Sequence, residues 1–304
     1  MDCKTKLYTD DGIGQKTSEG MTVGEALRWA ASLFSAQGID SPQLEAQILL
    51  GHVLDLTRSQ LYIHLYDPLC SKNASRYREL VQRRLEHEPV AYLTGRRAFY
   101  DVDLYVDENV LIPRPESEHL IEAARAWAQE RERSSLRVVD VGTGSAALAI
   151  VLARHLPDAR VWAVDISFEA LRVAARNVRR HDLGGHIALV CGDLLRALTG
   201  PFDLIVANLP YIPREEISSL PTNVAMYEPH RALDGGERGL EVVRRLLFQS
   251  VQKLTRPGLL LLEIDPRQAE AVTEMAHRAF YRARVNVLQD YAKRDRVMEI
   301  RRGE

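Results

Sequence analysis

Apolar positions first recur at helical spacing. Val23, Ala26, Leu27, Ala30, Leu33 and Phe34 fall on one face, Thr22 with Glu25 forms a capping box ahead of them, and Gly38 marks the stop. Ser41-Pro42 reads as N-cap plus first-turn proline, and Thr57 with Gln60 as a second capping box. Tyr77, Leu80, Val81 and Leu85 make another stripe, which Pro89 ends. Residues 21–95 are therefore expected to form a small all-α bundle, whose charged outer faces carry no catalytic constellation. Between Arg96 and Pro113 the period drops to two, with Tyr100, Val102, Leu104 and Val106 on one face and Asp101, Asp103 and Asp107 on the other. That predicts a β-hairpin linker over 96–113, followed by a helix containing Leu120, Ile121, Ala124 and Trp127.

From Arg137 onward short apolar runs alternate with helical patterns. The runs are Val138–Val141, Val161–Val164, Ile187–Cys191, Leu204–Ala207, Leu259–Ile264, Arg284–Leu288 and Val297–Ile300. Several are apolar throughout, as strands covered on both faces should be. Residues 114–304 are thus predicted to be an α/β domain with a seven-stranded, doubly wound, Rossmann-like sheet.

Composition narrows the setting. The chain has 304 residues, 46% hydrophobic and 27% charged, with net charge −2, an ordinary globular balance without the global basic field that nucleic-acid binding favours. Cys3, Cys70 and Cys191 lie far apart and read as reduced thiols, so a cytoplasmic protein is expected. The nine histidines show no metal-ligand spacing, and no metal is expected. The longest apolar stretch, Val138 to Ala153, is broken by Asp140, Gly142, Thr143, Gly144 and Ser145, so no membrane segment is expected. Residues 1–20, polar and without periodicity or a signal-peptide core, are expected to be poorly ordered.

Two segments carry chemistry. Asp140-Val141-Gly142-Thr143-Gly144-Ser145-Ala146 joins the first predicted strand of this domain to a helix, and Asp165 ends the next strand. Glycines there let the backbone approach a ligand, and a strand-end carboxylate can accept both ribose hydroxyls. Gly142, Gly144 and Ala147 also satisfy a dinucleotide-binding fingerprint, but Asp140 would repel a pyrophosphate. It would attract the α-ammonium and sulfonium of S-adenosylmethionine, which is therefore the favoured cofactor over NAD. Gly142, Thr143, Gly144, Ser145 and Ala146 are expected to line the methionine moiety and Asp165 the ribose, with Asp193 and Leu194 near the adenine edge. A helix N-cap is the competing account of Asp193.

The second segment is Asn208-Leu209-Pro210-Tyr211, directly after the run Phe202–Ala207. It puts an amide, an uncommitted carbonyl and an aromatic ring at the carboxyl edge of a sheet, suited to holding a planar NH2 group. The Asn208 side-chain oxygen and the Leu209 carbonyl could accept its two N–H groups, with Pro210 fixing φ and Tyr211 covering the π-face. An ordinary strand-to-loop turn is the bland alternative.

Together with Glu88 to Gly95, Phe99-Tyr100, Val110-Leu111-Ile112-Pro113-Arg114-Pro115-Glu116-Ser117-Glu118, Tyr227-Glu228-Pro229, Gly235-Gly236, Gly239-Leu240-Glu241 and Leu262-Glu263-Ile264, these segments make the chain resemble the protein-(glutamine-N5) methyltransferases that modify peptide chain release factors. The resemblance runs from about Thr22 to Arg301. It implies a five-helix N-terminal domain, for which docking of a macromolecular substrate is the sharper reading and a scaffold bundle the bland one, and a class I methyltransferase domain using S-adenosylmethionine. The implied reaction is methylation of the glutamine in the Gly-Gly-Gln motif of class I release factors. Arg114 with Glu116 is then expected to organise the rim, a helix start and ion pair being the competing account. Glu228 is expected to line the substrate loop, a turn residue before Pro229 being its alternative. Both Arg114 and Glu228 would bind substrate beside Asn208, Leu209, Pro210 and Tyr211, with Asn208 also near the cofactor. No direct nucleic-acid binding is expected. The chain departs from the family pattern at Leu209, where proline is usual, and at Ala146 and Asp265, where glycine is usual. The Asn-Leu-Pro-Tyr form keeps an RNA adenine N6-methyltransferase open as an alternative; an inactive S-adenosylmethionine-binding adaptor is another.

Overall fold

The computed structural model describes residues 20–131 and 135–303. The expectation for residues 1–20 lies, except for Gly20, outside them. The chain divides into two compact units between Thr94 and Gly95.

In the first unit, α1 (Val23–Ala36), α2 (Pro42–Leu54), α3 (Arg58–Ile63), α4 (Ser71–Leu85) and α5 (Val90–Thr94) enclose a core of Ala26, Ala30, Phe34, Leu49, Leu50, Tyr77 and Val81. Both capping boxes form, with the Glu25 amide donating to Thr22 Oγ1 at 3.2 Å and the Thr57 amide to Gln60 Oε1 at 2.8 Å. Ser41 differs from expectation. Pro42 does open α2, but Ser41 sits in the left-handed region at φ 54° and its hydroxyl makes no cap bond. The buried Tyr77 hydroxyl donates to the Ala46 carbonyl at 3.0 Å, which removes the penalty of a phenol in an apolar core.

The second unit opens with a short hairpin, β1 (Arg97–Phe99) against β2 (Val102–Leu104), in which Phe99 pairs with Val102. Tyr100, expected on the strand face, is instead a turn residue at φ 54°. The two-residue period is therefore carried by Val102, Leu104 and Val106, all buried.

After α6 (Glu118–Gln129) the chain alternates β3 (Arg137–Val141), α7 (Ala147–His155), β4 (Arg160–Asp165), α8 (Phe168–Arg180), β5 (Ile187–Cys191) and β6 (Phe202–Ala207). It continues through α9 (Thr222–Tyr227), α10 (Glu241–Lys253), β7 (Leu254–Glu263), α11 (Ala269–Ala279), β8 (Arg284–Gln289) and β9 (Asp295–Arg302). The seven strands are ordered β5-β4-β3-β6-β7-β9-β8, with β9 running antiparallel to both β7 and β8. All six residues of β6 are buried, as a central strand covered on both faces requires. One core packs α6, α7 and α8 on one face of the sheet, and a second packs α10 and α11 on the other. The winding direction reverses between β3 and β6, which leaves a crevice at their carboxyl ends. Among the described residues no helix is long and apolar enough to cross a membrane.

Candidate active site

The register of β3 and β6 brings the two chemical segments together. Val141 pairs with Ala207, so the loop leaving β3 and the turn leaving β6 emerge side by side. A Cβ added at Gly142 would lie 3.1 Å from Leu209 Cδ2 and 3.4 Å from the Asn208 carbonyl oxygen, and the residue sits at φ 75°. Its left-handed conformation calls for glycine there, and a side chain would also press on the neighbouring turn.

A cavity of about 810 Å³ opens at this point, with Asp140, the 142–145 loop, Asp165, Asp193, Leu194, Asn208, Leu209 and Pro210 on its wall. The Gly142 and Thr143 amides donate to the Val164 carbonyl at 2.8 and 2.9 Å, which fastens the loop to β4. Asp140 Oδ2 accepts from Thr143 Oγ1 at 2.6 Å and from the Ala149 amide at 3.2 Å. Its Oδ1 is buried with no hydrogen-bond partner. Burial pushes the Asp140 carboxyl up to about 7, against the hydrogen bonds from Thr143 and Ala149 that pull it down, while the charge of Asp165 raises it further. Asp165 receives the Gly144 amide at 2.9 Å on Oδ2 and the Ser167 amide at 2.8 Å on Oδ1. Its carboxyl too is raised by burial, with the Ser167 and Gly144 hydrogen bonds opposing. Asp193 follows β5 and pairs with Arg245, and more distantly with Arg196 at 3.6 Å.

Asn208 Nδ2 donates to Ser117 Oγ at 2.9 Å, so its Oδ1 is the free end of the amide. Leu209 is buried in the core beneath α10, and among the described residues no hydrogen bond ends on its carbonyl oxygen. The turn therefore offers two unused acceptors. Ser117 in turn donates to Glu263 Oε2 at 2.5 Å.

Four expected site residues do not reach this wall. Ala146 is fully buried at φ 66°, serving as the residue before α7. That left-handed conformation explains why glycine is the easier choice there, since a Cβ in this region costs roughly 1–2 kcal/mol. Tyr211 lies behind Pro210 and sends its hydroxyl to Glu263 Oε1 at 3.3 Å rather than covering the slot; its phenol is raised by burial and by the Glu263 charge. Gly239 fits against this residue because a Cβ there would come within 2.2 Å of the Tyr211 carbonyl oxygen. Arg114 and Glu228 pair with each other, and Glu228 Oε2 also accepts the Ile112 amide at 3.2 Å. They brace the segment 112–117 against the segment that follows α9. Burial raises the Glu228 carboxyl, opposed by Arg114 and the Ile112 amide.

Ser117 and Glu263 had been given no role from sequence. The available signal was Glu263 itself, a charge closing an otherwise apolar strand run.

Residues 25–95 match the family described as PrmC N-terminal domain, and residues 138–226 one described as Methyltransferase domain. A release factor glutamine methyltransferase of Rhodopirellula baltica is 39% identical over 286 residues, covering 93% of this chain and 97% of that protein. One from Moorella thermoacetica is 42% identical over 277 residues, covering 91% and 97%. The fold is also that of a methyltransferase from Pyrococcus furiosus, with TM-score 0.50 at 18% identity over 73% of this chain and 98% of that one. On identity and coverage of this extent, the chain belongs to the family of release factor glutamine methyltransferases.

Proposed function

We propose that this protein transfers a methyl group from S-adenosylmethionine to the side-chain amide nitrogen of the glutamine in the Gly-Gly-Gln motif of class I peptide chain release factors. The carrying observation is that Asn208 and Leu209, whose Oδ1 and main-chain carbonyl accept no hydrogen bond among the described residues, line the same cavity as the glycine loop.

The residues fit the cofactor. Asp140 Oδ1 is a buried carboxylate oxygen lacking a donor, and a cationic α-ammonium is the chemistry that would satisfy it. Gly142, Thr143, Gly144 and Ser145 would hold the methionine moiety, Asp165 the ribose hydroxyls, and Asp193 with Leu194 the adenine side. Bound S-adenosylmethionine supplies an electrophilic methyl on its sulfonium.

A carboxamide nitrogen is a weak nucleophile because its lone pair is delocalised into the carbonyl. Asn208 Oδ1 and the Leu209 carbonyl would each accept one of its N–H groups, fixing the nitrogen and drawing its protons away from it. Pro210 shapes the slot wall, and Arg114 with Glu228 holds the loop that carries Ser117. The first unit is the part proposed to dock the release factor, in keeping with its match to PrmC N-terminal domain.

The test is incubation of the purified protein with methyl-labelled S-adenosylmethionine and, in separate reactions, intact release factor, the same factor with its Gly-Gly-Gln glutamine replaced, and ribosomal RNA. Label on the intact factor alone is expected. Label on RNA alone would defeat the proposal in favour of an adenine methyltransferase.

A further inference from the structure

Glu263 takes no part in holding the amide, yet both ends of the Asn208–Tyr211 turn are tied to it. Ser117 Oγ donates to its Oε2 at 2.5 Å, the Tyr211 hydroxyl donates to its Oε1 at 3.3 Å, and Asn208 Nδ2 donates to Ser117 Oγ at 2.9 Å. Glu263 ends β7 and is 2% exposed. Burial raises its carboxyl and Glu116 raises it further, while the hydrogen bond from Ser117, the charge of Arg296 at the start of β9 and the hydrogen bond from Tyr211 favour the ionised form.

A carboxylate can only accept, and a serine hydroxyl has one proton. With that proton committed to Glu263, Ser117 Oγ can meet Asn208 only as an acceptor. A carboxamide is nearly symmetric in shape, so packing alone does not choose between its two orientations. The hydrogen-bond chain does choose, tying Nδ2 to Ser117 and leaving Oδ1 as the end of the amide without a partner among the described residues. The reversed amide would present NH2 to the NH2 of the substrate.

Resting on the amide-holding reading above, we infer that Glu263 is a positioning residue that sets the orientation of the Asn208 carboxamide through Ser117. Tyr211 cannot substitute for it, because its hydroxyl is directed to the other oxygen of the same carboxylate.

Glu263→Gln is nearly isosteric but can donate to Ser117 Oγ, which frees the serine proton to donate to Asn208 and favours the reversed amide. The turnover number on release factor is expected to fall about 10–100-fold, with S-adenosylmethionine affinity by calorimetry changed less than about threefold. Ser117→Ala, which leaves the carboxylate in place, should lose turnover similarly. The double variant should be no slower than the worse single one, because both changes cut the same chain, whereas a general packing role for Glu263 would make the losses multiply.

A second readout needs no substrate. With nitrogen-15 asparagine labelling, the side-chain NH2 signals of Asn208, identified by their loss in Asn208→Asp, should shift in both Glu263→Gln and Ser117→Ala. Unmoved signals in a folded variant, turnover within about twofold of wild type, or multiplied losses would overturn the inference. If Glu263→Gln does not fold, Ser117→Ala carries both readouts alone. Failure of the wild-type protein to methylate release factor would defeat the functional proposal, while the NH2 signals would still decide the orientation chain.

Discussion

Replacing Asp140 with Asn should stabilise the ligand-free protein at neutral pH while weakening its hold on S-adenosylmethionine. The carboxyl is 1% exposed, one of its oxygens has no partner, and burial carries it from 3.8 to about 7. A carboxyl raised in the folded state binds its proton more tightly there than in the unfolded chain. Its contribution to stability is thus fully present below pH 3.8 and is lost as pH rises to about 7, after which the ionised group is simply a burden. At 1.36 kcal/mol per unit the full swing is at most about 4 kcal/mol. Asparagine keeps an oxygen for Thr143 and the Ala149 amide and cannot ionise, so it escapes this swing.

The assay is urea unfolding from pH 4 to 8, for both proteins, without ligand. Asp165, Glu228 and Glu263 are raised by burial as well, so the bulk profile is shared and the difference between the two proteins isolates Asp140. The variant's advantage should grow across pH 4 to 7 and then level off. Calorimetry should show wild-type S-adenosylmethionine affinity weakening by up to about tenfold per pH unit as pH falls below 7, with a flatter and weaker profile for the variant. Parallel stability profiles together with unchanged cofactor affinity would refute the assignment of Asp140 to the ammonium.

Asp165→Ala should weaken S-adenosylmethionine binding about 10-fold or more, since charged acceptor bonds are typically worth about 1.5–3 kcal/mol; unchanged calorimetric affinity would remove this residue from the site. Arg114→Ala should cost more stability in urea unfolding, about 2–3 kcal/mol, than Glu228→Gln, because the first leaves a carboxylate buried without its cation and the second leaves a partly exposed cation that water can reach. The reverse order would mean that Glu228 is held by its backbone contact and not by the ion pair. Asn208→Ala should lower turnover about 10²–10³-fold with little change in cofactor affinity. Leu209→Pro keeps the carbonyl and should retain most turnover, at about 1–2 kcal/mol of stability for the lost core contact.

The strands were legible because parallel strands covered on both faces are predominantly apolar, as the stretches Leu204–Ala207 of β6 and Leu259–Leu262 of β7 are throughout. The glycine loop and the Asn208 turn were legible because each is local, its residue types set by backbone geometry within a few positions. Tyr100 was misplaced for the complementary reason: alternation continues past a turn as easily as through a strand, and only its φ separates the two. Asp265, a departure from glycine, is accounted for by the Arg267 amide, which its side chain accepts at 2.8 Å as the cap of a short 3-10 turn. Arg114 and Glu228 were each picked out as a site residue, but their joint function as a brace could not be read, because each satisfies the other across a long sequence separation. The same holds for Ser117 and Glu263, whose contact spans 146 positions and leaves no periodic trace.

The misplaced and unassigned residues share a physical character with the correctly placed ones. Asp140 holds a carboxylate oxygen without a donor, Ala146 takes a conformation that disfavours a side chain, and Glu228 and Glu263 bury charge. Each is a poor local choice by itself, and all lie around the crevice where the sheet reverses direction. Stability alone would replace Asp140 by a neutral side chain and Glu263 by an apolar one. On the proposed reading, what resists those replacements is the cofactor's charge at 140 and the geometry of the reacting amide at 263. A neutral group at 140 removes the charge offered to the cofactor, and an apolar group at 263 leaves the Ser117 proton free to point either way. On that reading the Asp140 carboxylate is held for the cofactor's ammonium, and the Glu263 carboxylate for presenting oxygen, and not NH2, to the substrate.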